Sequence, residues 1–208
     1  ALRSYERALR SRNFLLKRDA VIAWKQVDAY GAQLSAHGEV LARCRAMLVE
    51  RLAPHVARAH MQVSGATEEA GIAYARGYEG ESMQQALLDA REDEQRSRSS
   101  AVGAHRDDVR LEVNGRDAGA FASEGQQRTL CLALKLAQAR VLEEGAGEPP
   151  LLLLDDIFGE LDKRRRAALL EHLPSHAQKI ITTTFTDWAD GESLVGSVLE
   201  VEAGRVGE

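Results

Sequence analysis

The chain has 208 residues, 44% hydrophobic and 28% charged, with a formal net charge of −5. That is an ordinary globular composition, long enough for one domain with an appendage. No apolar stretch is long enough to cross a bilayer and no signal-peptide pattern opens the chain. The two well-separated cysteines, Cys44 and Cys131, argue for a reducing compartment and against a disulfide framework or metal cluster.

Charge is unevenly spread, with a balance of +6 over residues 1–60 and −11 over the rest. A basic helical segment on an acidic body suits a local contact with a phosphate backbone, and equally a solvated helix face. Residues 1–34 set Leu2, Tyr5, Leu9, Leu16 and Ala20 at helical spacing among basic residues. A second helical run covers about 35–60, with Pro54 expected to interrupt or kink it. The Gly-rich stretch 61–80 holds a strand candidate at Gly71–Tyr74, and a third helix is expected from Ser82 to about Ser97.

Beyond Val102 the pattern changes. Val109, Leu111 and Val113 alternate ahead of Asn114-Gly115, a strong hairpin-turn signal. A helix over 125–143, a Gly/Pro loop, the apolar strand Leu151–Leu154, a helix over about 163–173 and a strand over 179–184 follow. A closing hairpin is expected in SVLEVEAGRV. Strand, helix, strand with continuously apolar strands predicts a parallel sheet buried on both faces, hence an α/β lobe. The sequence therefore divides into a mainly helical unit over 1–100 and an α/β lobe over 101–208.

Two stretches carry chemistry. Four leucines run into Asp155 and Asp156, at the strand end where open α/β sheets bind ligands. Adjacent carboxylates there could hold Mg²⁺ and orient an attacking water, or simply begin a loop or cap a helix. A phosphoacceptor receiver domain also pairs Asp residues after an apolar strand, but only 52 residues follow Asp156 and no Lys ends the KIITTT strand.

The second stretch is the start of the 125–143 helix. Ser123 and Gln126 match a capping box, in which each side chain satisfies a free backbone N–H of the other. Gly125 and Gln127 are left over. A glycine in the first turn weakens a helix but exposes its N–H groups to an approaching anion.

Ser-x-Gly-Gln-Gln at a helix start, about thirty residues ahead of an apolar strand ending Asp-Asp and then x-x-Gly-Glu-Leu-Asp, resembles the signature helix, Walker B strand and D-loop of ABC-type ATPases. YERALRSRN, GAHRDD, SEGQQRTLCLALKLAQ and PPLLLLDDIFGELD together resemble motifs of the RecF family of bacterial DNA-repair ATPases, in that family's order and over about residues 1–205. The resemblance implies homodimers sandwiching two ATP molecules. Ser123, Gly125, Gln126 and Gln127 would face the γ-phosphate of ATP held by the partner. Asp155 would coordinate Mg²⁺, Asp156 would replace the more usual catalytic Glu, and Asp162 would reach the opposite site. Thr183 or Thr184 would stand where relatives have a switch His.

The resemblance further implies a DNA-facing basic helix with Arg7, Arg10, Arg12, Lys17 and Arg18. DNA with a gap or a single-strand–duplex junction and recombination mediator proteins are the implied partners, in the cytoplasm and away from membranes. Lys163–Arg166 is either a second DNA-facing element or a solvated helical turn. His105, Arg106 and Asp107 fit a buried ion-pair joint as well as they fit catalysis.

One departure stands out. No G-x-x-x-x-G-K-[ST] phosphate loop occurs in the 208 residues. The family carries it on an N-terminal portion, expected to precede Ala1. Two other readings are a nucleotide-independent DNA- or protein-binding module and an ABC transporter subunit. The helical insert, the Asp-Asp pair and the basic arm disfavour the transporter.

Overall fold

The computed structural model describes residues 1–157, 161–184 and 196–207. The chain separates into two compact units, one of Ala1–Pro54 with Ala70–Phe121 and one of His55–Glu69 with Ala122–Glu208.

In the first unit, α1 (Leu2–Arg18) buries Tyr5, Ala8, Arg12, Leu15 and Leu16. Those positions recur at three and four residues and so share one helical face. The helix stops at Arg18, and Arg98 donates to the carbonyls of Leu16 in its last turn and of Asp19 and Ala20 just beyond it. The break over 19–23 replaces the one expected near residue 34, because Ile22 turns inward onto Leu15, Leu16 and Val27. Helix α2 then runs from Trp24 to Ser64 with Pro54 inside it. Pro54 does not end the helix; instead the two compact units part at that residue.

Strand β1 (Ala70–Ala75) pairs antiparallel with β2 (Asp108–Val113), which turns into β3 (Arg116–Asp117). Asn114 (φ 52°) and Gly115 (φ 72°) make the turn in left-handed conformations, as the Asn-Gly pair predicts. This pairing puts 101–121 in the same unit as the N-terminal helices, whereas the sequence pattern sets the boundary at residue 100. The expected third helix is two short ones, α3 (Met83–Asp89) and α4 (Arg91–Ser97), parted at Ala90. Tyr5, Ala8, Leu34, Tyr78, Met83, Leu87 and Ala104 form the main core. Leu34 and Met83, fully buried there, each contribute about 1.5–3 kcal/mol.

His105 and Asp107 are structural joints of this unit. Asp107 accepts from Arg45 Nη1 (2.7 Å), the Tyr74 hydroxyl (2.6 Å) and the Gly77 amide (2.9 Å), with its side chain 2% exposed. His105 Nδ1 accepts from the Tyr5 hydroxyl (2.8 Å) and Nε2 donates to the Ser100 carbonyl (3.1 Å).

A short helix, α5 (Ala118–Phe121), closes the first unit, and the chain then enters the second through α6 (Glu124–Ala146). Strand β4 (Leu152–Asp155), α7 (Lys163–His172) and β5 (Lys179–Thr182) follow, and β6 (Glu200–Glu202) with β7 (Arg205–Gly207) forms a hairpin. β4 and β5 pair in parallel, Leu153 opposite Ile180 and Asp155 opposite Thr182. Leu152, Leu154 and Ile181 pack under Leu132 and Leu136 of α6 and Leu161, Leu169 and Leu173 around α7. Burial on both faces, expected from the continuous apolar runs, does not occur here. Leu153 is 69% and Ile180 51% exposed, because among the described residues only one face of the pair carries a cover.

Candidate functional site

At the acidic strand end, Asp155 is the last residue of β4 and Asp156 follows at φ 46°. That left-handed conformation costs most residues energy but is commoner for Asp, and it turns the chain out of the strand. Both carboxylates are exposed. The Thr182 hydroxyl donates to Asp155 Oδ1, while the Asp156 amide donates to the Thr182 carbonyl (3.1 Å) and lies 3.2 Å from its hydroxyl. Thr182 thus braces the pair from the neighbouring strand. The sequence points one and two residues later, to Thr183 and Thr184; the parallel register makes Thr182 the residue touching the acids.

At the α6 start the capping box is complete. The Ser123 amide donates to Gln126 Oε1 (2.9 Å) and the Gln126 amide to Ser123 Oγ (3.3 Å). The amides of Glu124 and Gly125, at the first two helical positions, have no hydrogen-bond acceptor among the described residues. Gln127 Nε2 donates to the Ala122 carbonyl (3.3 Å). A Cβ on Gly125 would lie 3.1 Å from Arg165 Nη1, so the glycine lets a guanidinium press against the helix start.

Sequence reading places Arg165 only within the Lys163–Arg166 run, as a DNA-facing or solvated residue, and misses its contact with the α6 start. Its Nη1 donates to the Gly125 carbonyl and to Thr129 Oγ1 (2.7 Å), its Nη2 reaches Glu68 Oε1 (3.3 Å), and its Nε lies 3.7 Å from Asp162 Oδ2. Asp162 itself caps α7, accepting from the Arg165 amide (2.8 Å). Arg164 Nη2 donates to the Gly65 carbonyl (3.4 Å) and Arg166 Nε to the Leu161 carbonyl (2.6 Å). Lys163 and Arg164 are exposed, as a solvated turn would have them, whereas Arg165 and Arg166 are half-buried and tied to the protein. Residues Gly159 and Glu160 of the expected D-loop lie outside the described residues.

The basic helix also needs one correction. Arg7, Arg10, Lys17 and Arg18 are exposed on α1, but Arg12 is 1% exposed. Its two terminal nitrogens bond both oxygens of the buried Glu94 (2.8 and 2.6 Å) and Nη1 also bonds Ser100 Oγ (2.7 Å). Arg12 holds the unit together and presents nothing to a phosphate.

No group of three or more His, Cys, Asp or Glu side chains converges as a metal site among the described residues. Mg²⁺ needs none, since it commonly takes one or two carboxylates together with substrate phosphates and waters. Asp155, exposed and braced, fits that role; the open α6 amides beside a guanidinium fit a phosphate oxygen. A shallow hollow of about 520 Å³ is lined by Asp93, Arg96, Ser97, Ser99, Ala101 and Arg106 and contains none of the proposed nucleotide-facing residues.

Two histidines make stability depend on pH. His60, fully buried, donates from Nε2 to Glu68 Oε2 (3.1 Å), and burial holds its pKa below the ordinary value. Burial lowers that of His105 as well. A depressed histidine pKa means the unfolded chain takes up a proton that the folded chain refuses. Stability is therefore full above about pH 6.5 and falls as pH drops through that value towards the folded pKa. Urea denaturation should give a lower unfolding free energy at about pH 5.5 than at about pH 7.5, and a His60→Gln/His105→Gln variant a smaller difference.

No protein-family model matches the chain. Curated relatives do. DNA replication and repair protein RecF of a Cyanothece species is 40% identical over 218 aligned residues, covering 99% of this chain and 58% of the relative. The protein of the same description from Gloeobacter violaceus is 39% identical over 223, covering 99% and 58%. Among solved structures, one described as recombination mediator protein RecF-ATPrS in the RecFOR pathway matches with a TM-score of 0.80 at 28% identity, covering 99% of this chain and 57% of that one. Another, described as RecF-ATP in the same pathway, gives 0.76 at 29% and covers 89% and 52%. The fold is thus a partial ABC-type ATPase lobe of the α/β class joined to a mainly helical unit. The chain belongs to the RecF family and spans about three fifths of the length of the curated relatives it matches.

Proposed function

We propose that this chain forms the signature-helix and acidic-strand part of an ATP-dependent DNA replication and repair protein. It would bind duplex DNA beside single-stranded gaps and, with recombination mediator proteins, support the loading of a recombinase. The observation that carries the reading is the Thr182-braced Asp155 at an open parallel strand end, in a chain whose relatives are named for DNA replication and repair. The two relatives of known structure, described with ATP and an ATP analogue, support a nucleotide ligand.

Two copies would meet around ATP. The α6 start of one copy, with Ser123, Gly125, Gln126 and Gln127, would donate to the γ-phosphate held by the other. Asp155 would hold Mg²⁺, which neutralises phosphate charge when bound. Asp156, turned out of the strand, would orient the attacking water, and Asp162 would approach the opposite site across the dimer. Thr183 and Thr184 remain the proposed γ-phosphate sensors, next to the bracing Thr182. The uncovered apolar face with Leu153 and Ile180 would be completed by parts of the protein beyond this chain. Residues 1–100 would serve as the helical arm and 101–208 as the ATPase-lobe part, a functional division that differs from the compact units, in which 70–121 goes with the N-terminal helices and 55–69 with the lobe. The proposed setting is cytoplasmic; no helix among the described residues is long and apolar enough to cross a membrane.

The exposed stripe of Arg7, Arg10, Lys17 and Arg18 would face DNA phosphates. Binding of the full-length protein to gapped DNA, titrated against salt with and without ATP, tests this. An Arg7→Ala/Arg10→Ala/Lys17→Ala variant should bind more weakly, with the slope of log K against log salt shallower by about 0.7–0.9 for each phosphate that is no longer neutralised. An unchanged slope would remove α1 from the interface. Binding that ignores ATP would favour a nucleotide-independent module.

A further inference from the structure

The start of α6 is held by more than its own capping box. Arg165, on the first turn of α7, donates to the Gly125 carbonyl and to Thr129 Oγ1, and it is only 18% exposed. Glu68, in the segment after α2, accepts on Oε1 from both Arg165 Nη2 and Gln126 Nε2, each at 3.3 Å. The other oxygen of Glu68 accepts a hydrogen bond from Nε2 of buried His60. Asp162, which caps α7, lies 3.7 Å from Arg165 Nε. One guanidinium therefore touches the helix start, the cap of the next helix and the carboxylate ending a third segment. A planar fork of fixed donors can do this; a single ammonium cannot.

We propose that Arg165, anchored by Glu68, is a positioning residue that locks the α6 start to Asp162 so that both meet a bound nucleotide as one piece. The inference rests on the ATP reading above. Gly125 has a place in it, since a side chain there would crowd the guanidinium at 3.1 Å. Arg165 need not touch nucleotide itself; it acts by fixing the direction of the α6 amides and the seat of Asp162.

The full-length protein is assayed for ATP binding, ATP-induced dimerisation and phosphate release, beside Arg165→Ala, Arg165→Lys and Glu68→Gln. Hydrogen exchange at the bonded amides of Gln126 and Gln127 is followed in the same samples. Arg165→Ala should leave KM for ATP nearly unchanged and lower kcat by about 10²-fold, the scale of a small misplacement of reacting groups. Arg165→Lys should fall between Ala and wild type, because an ammonium keeps some of these bonds and not all. Exchange at Gln126 and Gln127 should quicken in the same order. A lower melting temperature with wild-type kcat per folded molecule would reduce Arg165 to a stabilising residue and overturn the proposal. Should Arg165→Ala fail to fold, Glu68→Gln decides. It keeps the bonds to Gly125 and Thr129 while weakening the anchor, and should lower kcat by about tenfold; no change in kcat overturns the clamp. If wild-type protein neither dimerises with ATP nor releases phosphate, the ATP reading fails by itself. Exchange at Gln126 and Gln127 then judges the clamp alone, and rates unaltered by Arg165→Ala refute it.

Discussion

Replacing Arg12 with alanine should cost the first unit about 3–5 kcal/mol, the penalty for breaking a buried ion pair and leaving one charge stranded. Both partners are shut away from water, Arg12 at 1% and Glu94 at 0% exposure, and the pair is bidentate with Ser100 as a third partner. Since domains of this kind are stable by only about 5–15 kcal/mol, the loss would unfold a large share of molecules on mild warming or in low denaturant. Arg10→Ala, two residues away on the exposed face, should stay within about 0.5 kcal/mol. Denaturant unfolding separates the two. The double change Arg12→Met/Glu94→Leu should recover most of the loss, because no charge is left without its partner. An Arg12→Ala cost as small as that of Arg10→Ala would mean that the pair is open in solution. DNA binding should show the opposite order, with Arg10→Ala weakening it and Arg12→Met/Glu94→Leu leaving it intact.

The second large effect is expected at the strand end. In the full-length protein, Asp155→Ala should lower ATP turnover by at least about 10²-fold, since a carboxylate that seats Mg²⁺ governs several kcal/mol of transition-state charge. Thr182→Val, which removes the brace and leaves both acids, should give a smaller loss. The 208-residue chain by itself should release no phosphate above background, because it contains no glycine-rich Lys-Ser/Thr loop to cradle a triphosphate. Phosphate release by that chain with ATP and Mg²⁺, abolished by Asp155→Ala, would refute this division of labour.

Arg12 and Arg165 show why parts of the site are hard to read from sequence. Arg12 lies on the helical stripe of Tyr5, Ala8, Leu15 and Leu16, all buried, and Arg165 falls midway between Leu161 and Leu169 at four-residue spacing. Periodicity places both facing inward, but a basic residue on an apolar stripe buries only if a carboxylate meets it. Those carboxylates, Glu94 and Glu68, come from 82 and 97 residues away. Thr182 escapes notice for a related reason. Which hydroxyl faces Asp155 depends on the register between two strands, and a slip of one residue turns every side chain to the other face.

Local chemistry is legible throughout. The capping box at Ser123 and Gln126, the Asn114-Gly115 turn and the carboxylates closing a leucine strand are short-range patterns that each need only a few neighbouring residues. By itself, therefore, the amino-acid order determined the α/β class, the capped start of α6 and the acidic strand end. Tertiary structure alone decided which arginines face solvent, which threonine braces the acids and which face of the strand pair is covered. Each of those outcomes depends on a partner distant in the chain, and the two meet only when the backbone closes the loop between them.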